Sequence, residues 1–464
     1  MKKIYVKDIL RECNGILLCG NELMECNNFS KDTRNIKRGD VFIAIKGDTF
    51  DGNKFYEDAL DKGASVCLVD NIDTDNIDKE KYKDKCIILV TDTVKALGKI
   101  AKYKRSLYNI PVIGVTGSVG KTSTKDMIAS VIETKYKVLK TEGNNNNHIG
   151  LPLTILRLKD EEVLIVEMGM NHLGEISYLT DIAKPTVAVI TNVGTAHIGI
   201  LGSRENILKA KLEILEGLLP GGLVVINNDN DMLNSVYNKL KKQYNVKGIS
   251  IDNESDYKAT IIEESITGSK YKLSIDNKDI DITVNVPTRA FVYNSIAGFA
   301  IGKHLSIEED KICNGIIDLK LTNHRLEKKV NSRGVTIIDD SYNASYDSVK
   351  TSVELLGKSD NRKIVILGDM LELGEYSEEI HKKVGQVVAN NNIDLLITVG
   401  SLSKFIKEEA LKNNFNKENV YSFDEQSETY ELLNKLLKKD DIVLVKGSNG
   451  IHLTEVVNKI MEFN

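Results

Sequence analysis

The 464-residue chain holds 62 basic and 67 acidic residues, a formal net charge of −5, with the two signs interspersed rather than in blocks. That length allows about three domains at the usual 100–200 residues each, and the charge excludes the basic footprint of a nucleic-acid or membrane-surface binder. No apolar run approaches the roughly 18 residues of a membrane span, no leader of charged, apolar and small regions opens the chain, and six cysteines without a C-x-x-C pair suit neither a metal site nor a disulfide framework. A cytoplasmic protein is expected.

The first unit, residues 1–109, mixes short strands and helices. Val41–Ile45 reads as a strand running into the polar turn Lys46-Gly47, and Ala64–Val69 as another after a helix ending at Gly63. The clusters Asp32-Thr33-Arg34 and Asp51-Gly52-Asn53 read, on their own, as turn chemistry.

From Pro111 the rhythm becomes strand then helix. The run PVIGVTGSVGKTSTK, Pro111–Lys125, is a β-branched strand, a glycine-bearing loop and a helix start. Gly117, Ser118, Val119 and Gly120 can turn backbone N–H groups inward at phosphate oxygens, Lys121 adds a mobile charge, Thr122 a hydroxyl for magnesium, and Ser123 opens the helix. Val115 stands where the strict G-x-x-x-x-G-K-[ST] pattern has glycine, so only G-x-x-G-K-T is present. Tyr136–Leu139, Glu162–Glu167, Thr186–Thr191 and Gly222–Ile226 read as further short strands of a parallel sheet.

Two strand ends carry chemistry. Glu167 closes an apolar strand beside the phosphate loop, and His197 lies in the segment leaving the next one, a pair suited to magnesium. Asn146, Asn147 and His148 form a donor-rich loop on the same edge. Lys211, by pattern alone, is a solvent-facing helix lysine. Tyr257–Val286 alternates like an antiparallel hairpin around Asp276–Asp279, and a helix over 293–304 closes a central unit spanning residues 110–319.

Residues 320–464 repeat the α/β rhythm, with strands at Thr336–Asp339, Lys363–Leu367, Leu395–Val399 and Ile442–Lys446 and helices starting near Ser377, Ser401, Gln426 and His452. No G-x-G-x-x-G follows these strands, so this is a Rossmann-like doubly wound domain without a dinucleotide fingerprint. Asp340, Tyr342 and Asn343, Asp369, and Lys446 sit at three strand ends that converge on one crevice. The fold class expected is therefore α/β in three domains: a small N-terminal one, a central phosphate-loop parallel sheet with an antiparallel hairpin, and the C-terminal doubly wound domain.

Taken together, TGSVGKTSTK (Thr116–Lys125), NNNHIGLPLT (Asn145–Thr154), EMGMNHLGEI (Glu167–Ile176), AKLEIL (Ala210–Leu215), DDSYNAS (Asp339–Ser345), LGDMLELGE (Leu367–Glu375) and VKGSNG (Val445–Gly450) resemble the Mur ligases across the whole chain. The likeness is nearest to the branch that adds D-Ala-D-Ala to UDP-N-acetylmuramoyl-tripeptide in peptidoglycan synthesis. The resemblance implies an ATP-dependent amide ligase working through an acyl phosphate, as a monomer. It implies that Lys121 and the loop hold the β/γ-phosphates, that Thr122, Glu167 and His197 bind two magnesium ions, and that Lys211 is carbamylated into a further magnesium ligand. It also implies that Asn294, Arg325, Asp340, Tyr342 and Asn343 close on ATP, that Asp32, Arg34, Lys46 and Gly47 hold the UDP end, and that Asn146, Asn147, His148 and Lys446 face substrate. The chain departs from the family's pattern at Ala290 and Phe291, in place of a histidine and asparagine toward adenine, at Tyr346 in place of proline, and at Asn449 in place of arginine. Those departures leave two alternatives, a paralogue using a different amine and a non-catalytic precursor-binding protein.

Overall fold

Three main sheets, with a small two-stranded one in the first unit, follow one another along the chain, and the computed structural model describes residues 2–47, 49–265, 267–321 and 324–463. The first unit has strands β1 (Ile4–Tyr5), β2 (Ile16–Cys19), β3 (Glu25–Cys26), β4 (Phe29–Ser30), β5 (Val41–Ile43), β6 (Val66–Val69) and β7 (Cys86–Leu89). β1 pairs with β3, and the rest form a sheet ordered β2-β7-β6-β5-β4. The expected strand from Val41 stops at Ile43, because the Ile45 carbonyl turns back to accept from Gly52 N at 3.0 Å.

The central unit holds β8 (Val112–Thr116), β9 (Val138–Lys140), β10 (Val163–Glu167), β11 (Val187–Ile190), β12 (Leu223–Asn227), β13 (Asn245–Ser250), β14 (Tyr257–Ser265), β15 (Gly268–Ile275) and β16 (Lys278–Val284). They make one nine-stranded sheet ordered β16-β15-β14-β13-β12-β11-β8-β10-β9. Strands β8 to β14 pair in parallel, while β14, β15 and β16 are antiparallel, so the expected hairpin is a three-stranded meander. β8 is buried at all five positions, with no alternation, as a parallel strand covered by helices on both faces should be. Its register against β10 pairs Val115 with Glu167, which sets that carboxylate beside the start of the phosphate loop.

The third unit contains β17 (Glu327–Val330), β18 (Thr336–Asp339), β19 (Lys363–Gly368), β20 (Leu395–Val399), β21 (Val420–Phe423) and β22 (Ile442–Lys446), ordered β17-β18-β22-β19-β20-β21. Only the edge strand β17 is antiparallel. All four strands expected here are present, together with β17, β21 and the helix Tyr346–Gly357, which were not expected. The six cysteines are all free. Among the described residues no helix is long and apolar enough to cross a membrane.

The joints between units are hydrogen-bonded. Buried Arg105, on the helix Thr93–Ser106, donates to Ala183 O at 2.9 Å and to Tyr108 O at 2.7 Å, fastening the first unit to the second. Within the second, Gly150 begins a helix so close to the preceding loop that a Cβ there would lie 2.3 Å from Asn145 Cα and 2.6 Å from its carbonyl carbon. Backbone cannot yield as a side chain does. Gly150→Ala is therefore expected to lose about 1–3 kcal/mol in a urea unfolding titration.

Candidate functional site

A cleft of about 1190 Å³ lies between the second and third units and is lined by the phosphate loop, Asn146, Glu167, His197, the start of the helix Arg289–His304, Arg325, Asp340, Tyr342, Asn343 and Lys446. Strand ends of two sheets thus face each other across it; of the three strand ends expected to converge, those of Asp340 and Lys446 line the cleft, whereas Asp369 does not and instead accepts from Leu402 N at 3.1 Å and Ser403 N at 2.7 Å.

The loop's shape depends on glycine. Gly117 has φ +152°, and a Cβ on it would meet Thr191 Oγ1 at 1.9 Å; Gly120 has φ +79° at the start of the helix Lys121–Ile132. Ser118 N and Val119 N both donate to Asn192 Oδ1, at 3.1 and 3.0 Å, so a side-chain oxygen sits where the loop's amides receive an anion. Lys121 Nζ folds back onto Gly117 O at 2.9 Å. Burial pushes the Lys121 amine below its usual range. Sequence reasoning missed Asn192; the signal was a polar side chain two residues past β11, at the strand end that faces the loop.

Thr122 joins three elements. Its hydroxyl donates to Glu167 Oε2 at 2.9 Å and receives Arg325 Nη2 at 3.0 Å. Glu167's other oxygen accepts from Asn146 Nδ2 at 2.8 Å. Arg325 in turn stacks on the Tyr342 ring, 4.2 Å from its centre. The residues around Arg325 explain why it reaches so far. His324 and Leu326 on either side take left-handed backbone, with φ of 64° and 51°. His324 Nδ1 lies 2.7 Å from Asp339 Oδ2, which also accepts from Lys329 Nζ at 2.7 Å. His324, Glu327 and Asp339 are close enough to hold a cation, their ligand atoms within 4.8 Å of one another. Lys329 already pairs with both carboxylates, 3.2 Å from Glu327 and 2.7 Å from Asp339, and ties together the segment on either side of Arg325. Burial pushes Asp339 up, yet Lys329, Ser341 and His324 together hold its carboxyl below the usual range.

Lys211 overturns the solvent-facing reading of its pattern. It is fully buried on the helix Arg204–Leu212, and its Nζ has no hydrogen-bond partner among the described residues. Burial first, and then the neighbouring Lys121 ammonium, push this amine well below the ordinary lysine range. Its nearest acid in sequence, Glu213, is spent on Gly174 N at 2.8 Å and Ser177 N at 3.1 Å, capping another helix. His197, at φ +65°, places Nδ1 3.2 Å from Glu372 Oε2 of the third unit, off the line of a directed hydrogen bond. The imidazole holds Glu372's carboxyl below the usual range. Oxygen donors from Thr122 and Glu167, with an imidazole and an orphaned amine close by, fit a hard divalent cation.

The remaining expected residues divide. Asn294 lines the cleft and ties two helices together, accepting from Thr124 Oγ1 at 2.7 Å. Asp340 accepts from Lys446 Nζ at 2.6 Å and from Ser352 Oγ at 2.7 Å, and Asn343 O from Lys446 Nζ at 3.0 Å. Ser123 and Asn147 line the cleft, Asn147 also accepting from Gly150 N at 2.9 Å, while exposed His148 does not. Asp32, Arg34, Lys46 and Gly47 lie outside this cleft. Asp32 is occupied by Arg34 at 2.7 Å, Lys46 bridges to Asp51, and Gly47 N donates to Phe50 O at 2.7 Å. Ala290, Phe291 and Asn449 line the cleft, whereas Tyr346 packs on the third unit's core.

A phosphate loop, a strand-end carboxylate and an arginine carried in by a second α/β sheet define an ATP-dependent, multidomain ligase that works between its domains. Comparison with known proteins gives the lineage. Family models match in chain order: the Mur ligase family catalytic domain at residues 27–105, the Mur ligase middle domain at 115–302 and the Mur ligase glutamate ligase domain at 324–449. The chain belongs to the Mur ligase family. It is 37% identical, over 100% of its length and 99% of the relative's, to the UDP-N-acetylmuramoyl-tripeptide–D-alanyl-D-alanine ligase of Bacillus subtilis (strain 168). Its fold matches MurF from Acinetobacter baumannii with a TM-score of 0.89 at 27% identity, covering 100% of this chain and 99% of that one. MurF from Thermotoga maritima in complex with ADP matches at 0.82 and 28% identity, covering 94% and 97%.

The Lys446–Asp340 pair is nearly solvent-free, with 3% and 12% of the two side chains exposed. Removing one partner strands a buried charge. Lys446→Met should cost about 3–5 kcal/mol of stability by denaturant titration, and adding Asp340→Leu to it should recover most of the loss.

Proposed function

We infer that this chain joins D-alanyl-D-alanine to UDP-N-acetylmuramoyl-tripeptide, converting ATP to ADP and phosphate. The observation that carries the reading is Thr122, whose one hydroxyl links the phosphate loop, Glu167 and Arg325, in a chain 37% identical end to end to a ligase of that name. A carboxylate oxygen is too poor a leaving group to be displaced by an amine. In the first step a tripeptide carboxylate oxygen attacks the γ-phosphorus, the bond to the β–γ bridging oxygen breaks, and ADP departs, leaving an acyl phosphate. The dipeptide amine then attacks the carbonyl carbon, loses a proton, and expels inorganic phosphate as the amide forms.

The protein's part is positioning and charge. The amides of Ser118 and Val119, exchanging Asn192 for phosphate, and Lys121 hold the β/γ end; Arg325 brings a fixed positive charge to the transferring group. Asn294, Asp340, Tyr342 and Asn343 are the nucleotide-facing residues from the two flanking elements. Thr122 and Glu167 would hold one magnesium ion and His197 would serve a second, and the ions would supply neutralisation of the phosphoryl oxygens. Lys211, buried and without a hydrogen-bond partner among the described residues, is suited to add CO₂ and lose a proton, and the resulting carbamate would serve as a further magnesium ligand. Asn146, Asn147, His148 and Lys446 serve the peptide end. Asp32, Arg34, Lys46 and Gly47, on a separate surface of the first unit, serve the UDP end. The reaction draws on ATP and a nucleotide-linked precursor, which places it in the cytoplasm, carried out by a monomer.

Phosphate release should need ATP, magnesium, the nucleotide tripeptide and the dipeptide together, and release at full rate without the dipeptide would exclude this reading. Lys211→Ala should lower kcat by on the order of 10²-fold, the scale of losing one preorganised charge at a transition state. Stripping bicarbonate from the buffer should slow the parent enzyme and leave that variant unaffected. Full activity in Lys211→Ala would remove the carbamate from the mechanism.

A further inference from the structure

The third unit meets the second beside His197 by backbone as well as by charge. Directly after His197 the short helix Ile198–Leu201 packs on the turn Gly374–Tyr376, and Ile198 lies against the apolar cores on both sides of the joint. A Cβ on Gly199 would stand 2.7 Å from the Leu373 carbonyl carbon and 2.8 Å from Gly374 N, so the two chains approach with no room for a side chain between them. Glu372, one residue earlier, arrives opposite His197.

The segment that delivers Glu372 is held within its own unit. Asp369 accepts from Leu402 N and Ser403 N, Leu371 N donates to Ser448 Oγ at 3.0 Å, and Met370 N donates to His381 Nε2 at 3.0 Å. Fully buried His381 has its other nitrogen 2.6 Å from Ser377 O, which puts the ring proton on Nδ1 and leaves Nε2 to accept. Met370 and Leu373 are buried on either side, whereas the Glu372 side chain is 58% exposed. Backbone, not burial, therefore sets where Glu372 points its carboxylate. Glu372 and His197 both take left-handed backbone, at φ 66° and 65°, a conformation that residues other than glycine keep where their surroundings impose it.

Two residues so constrained, from different units, face each other with His197 Nδ1 3.2 Å from Glu372 Oε2. Lys121, another charge close to Glu372, gives its Nζ to Gly117 O instead. Turning the imidazole about χ2, a torsion with a broad well, lines Nδ1–H up with the carboxylate and leaves Nε2 with a free lone pair. We propose that Glu372 is a positioning residue that fixes the proton of His197 on Nδ1, so that the third unit, by docking, readies the Nε2 lone pair for the cation that His197 would serve. The role toward the cation rests on the magnesium-dependent reading above; the position of the proton rests on geometry alone. Metal-binding histidines commonly have their second nitrogen tied to a carboxylate, and losing that carboxylate costs about 10- to 100-fold in metal affinity or activity. Here the carboxylate comes from the other domain.

The test is ¹⁵N NMR of the histidine rings in the full chain without metal, at a pH where the rings are neutral, with the His197 signals assigned by their loss in His197→Gln. The parent should carry the His197 proton on Nδ1. Glu372→Ala should move it to Nε2, the tautomer an unconstrained imidazole prefers, while Glu372→Gln, whose amide oxygen still accepts, should keep it on Nδ1. Gly199→Ala retains Glu372 but forces the two backbones apart, and should behave like Glu372→Ala. In turnover, Glu372→Ala should raise the magnesium concentration for half-maximal rate by about 10- to 100-fold, with KM for the nucleotide tripeptide unmoved. A parent with the proton on Nε2, or a Glu372→Ala ring still protonated on Nδ1, would overturn the proposal. A parent that holds the proton on Nδ1 yet releases no phosphate with every reactant supplied would overturn the ligase reading, and the role toward the cation with it.

Discussion

The hydroxyl of Thr122 is the point on which the site depends. It has one proton, given to Glu167 Oε2 at 2.9 Å, and its lone pairs face Arg325 Nη2 at 3.0 Å. A serine-sized group could make the same two bonds only where the loop, the end of β10 and the third unit all arrive together. Each arrival has its own cause. Gly117 and Gly120 turn the loop, the β8–β10 register advances Glu167 beside it, and His324, Asp339 and Lys329 tie together the segment on either side of Arg325. Because Glu167 is 3% exposed, its charge is tolerable only while Thr122 and Asn146 donate to it.

The same contact couples domain position to chemistry. Arg325 and Glu372 reach from the third unit into the second, to Thr122 and to His197 respectively, beside a more distant bridge from Lys358 to Glu264. Both land on residues around the expected cation rather than on inert surface. The contacts that join the two units and the charges around the site are thus carried by the same residues.

Much of this was legible in the sequence because it is local. The loop, Glu167 at the end of an apolar run, and the polar groups at three strand ends of the third unit each carry their signal within a few residues. The parts that were not legible depend on distant partners. β13 is broken by Lys247 and Gly248, β17 reads Glu-Lys-Lys-Val with no apolar face, and both exist because a neighbouring strand pairs with them. Lys211 is buried with Ile207 and Ala210 on the inward face of a helix that leaves Glu205, Asn206 and Lys209 exposed, and that face is set by what packs on it rather than by local pattern. Conversely, Asp32 and Arg34 satisfy each other within one turn, as their turn chemistry suggested, and their proposed role toward UDP draws on family likeness alone.

The central claim is that a phosphoryl group passes to a peptide carboxylate at Thr122 and Glu167 before the amide is made. The measurement that meets it most directly is the fate of oxygen. With the terminal carboxylate of the tripeptide labelled with ¹⁸O and all substrates supplied, one labelled oxygen per turnover should appear in the released inorganic phosphate. Label retained wholly in the peptide product, with unlabelled phosphate released, would contradict the account.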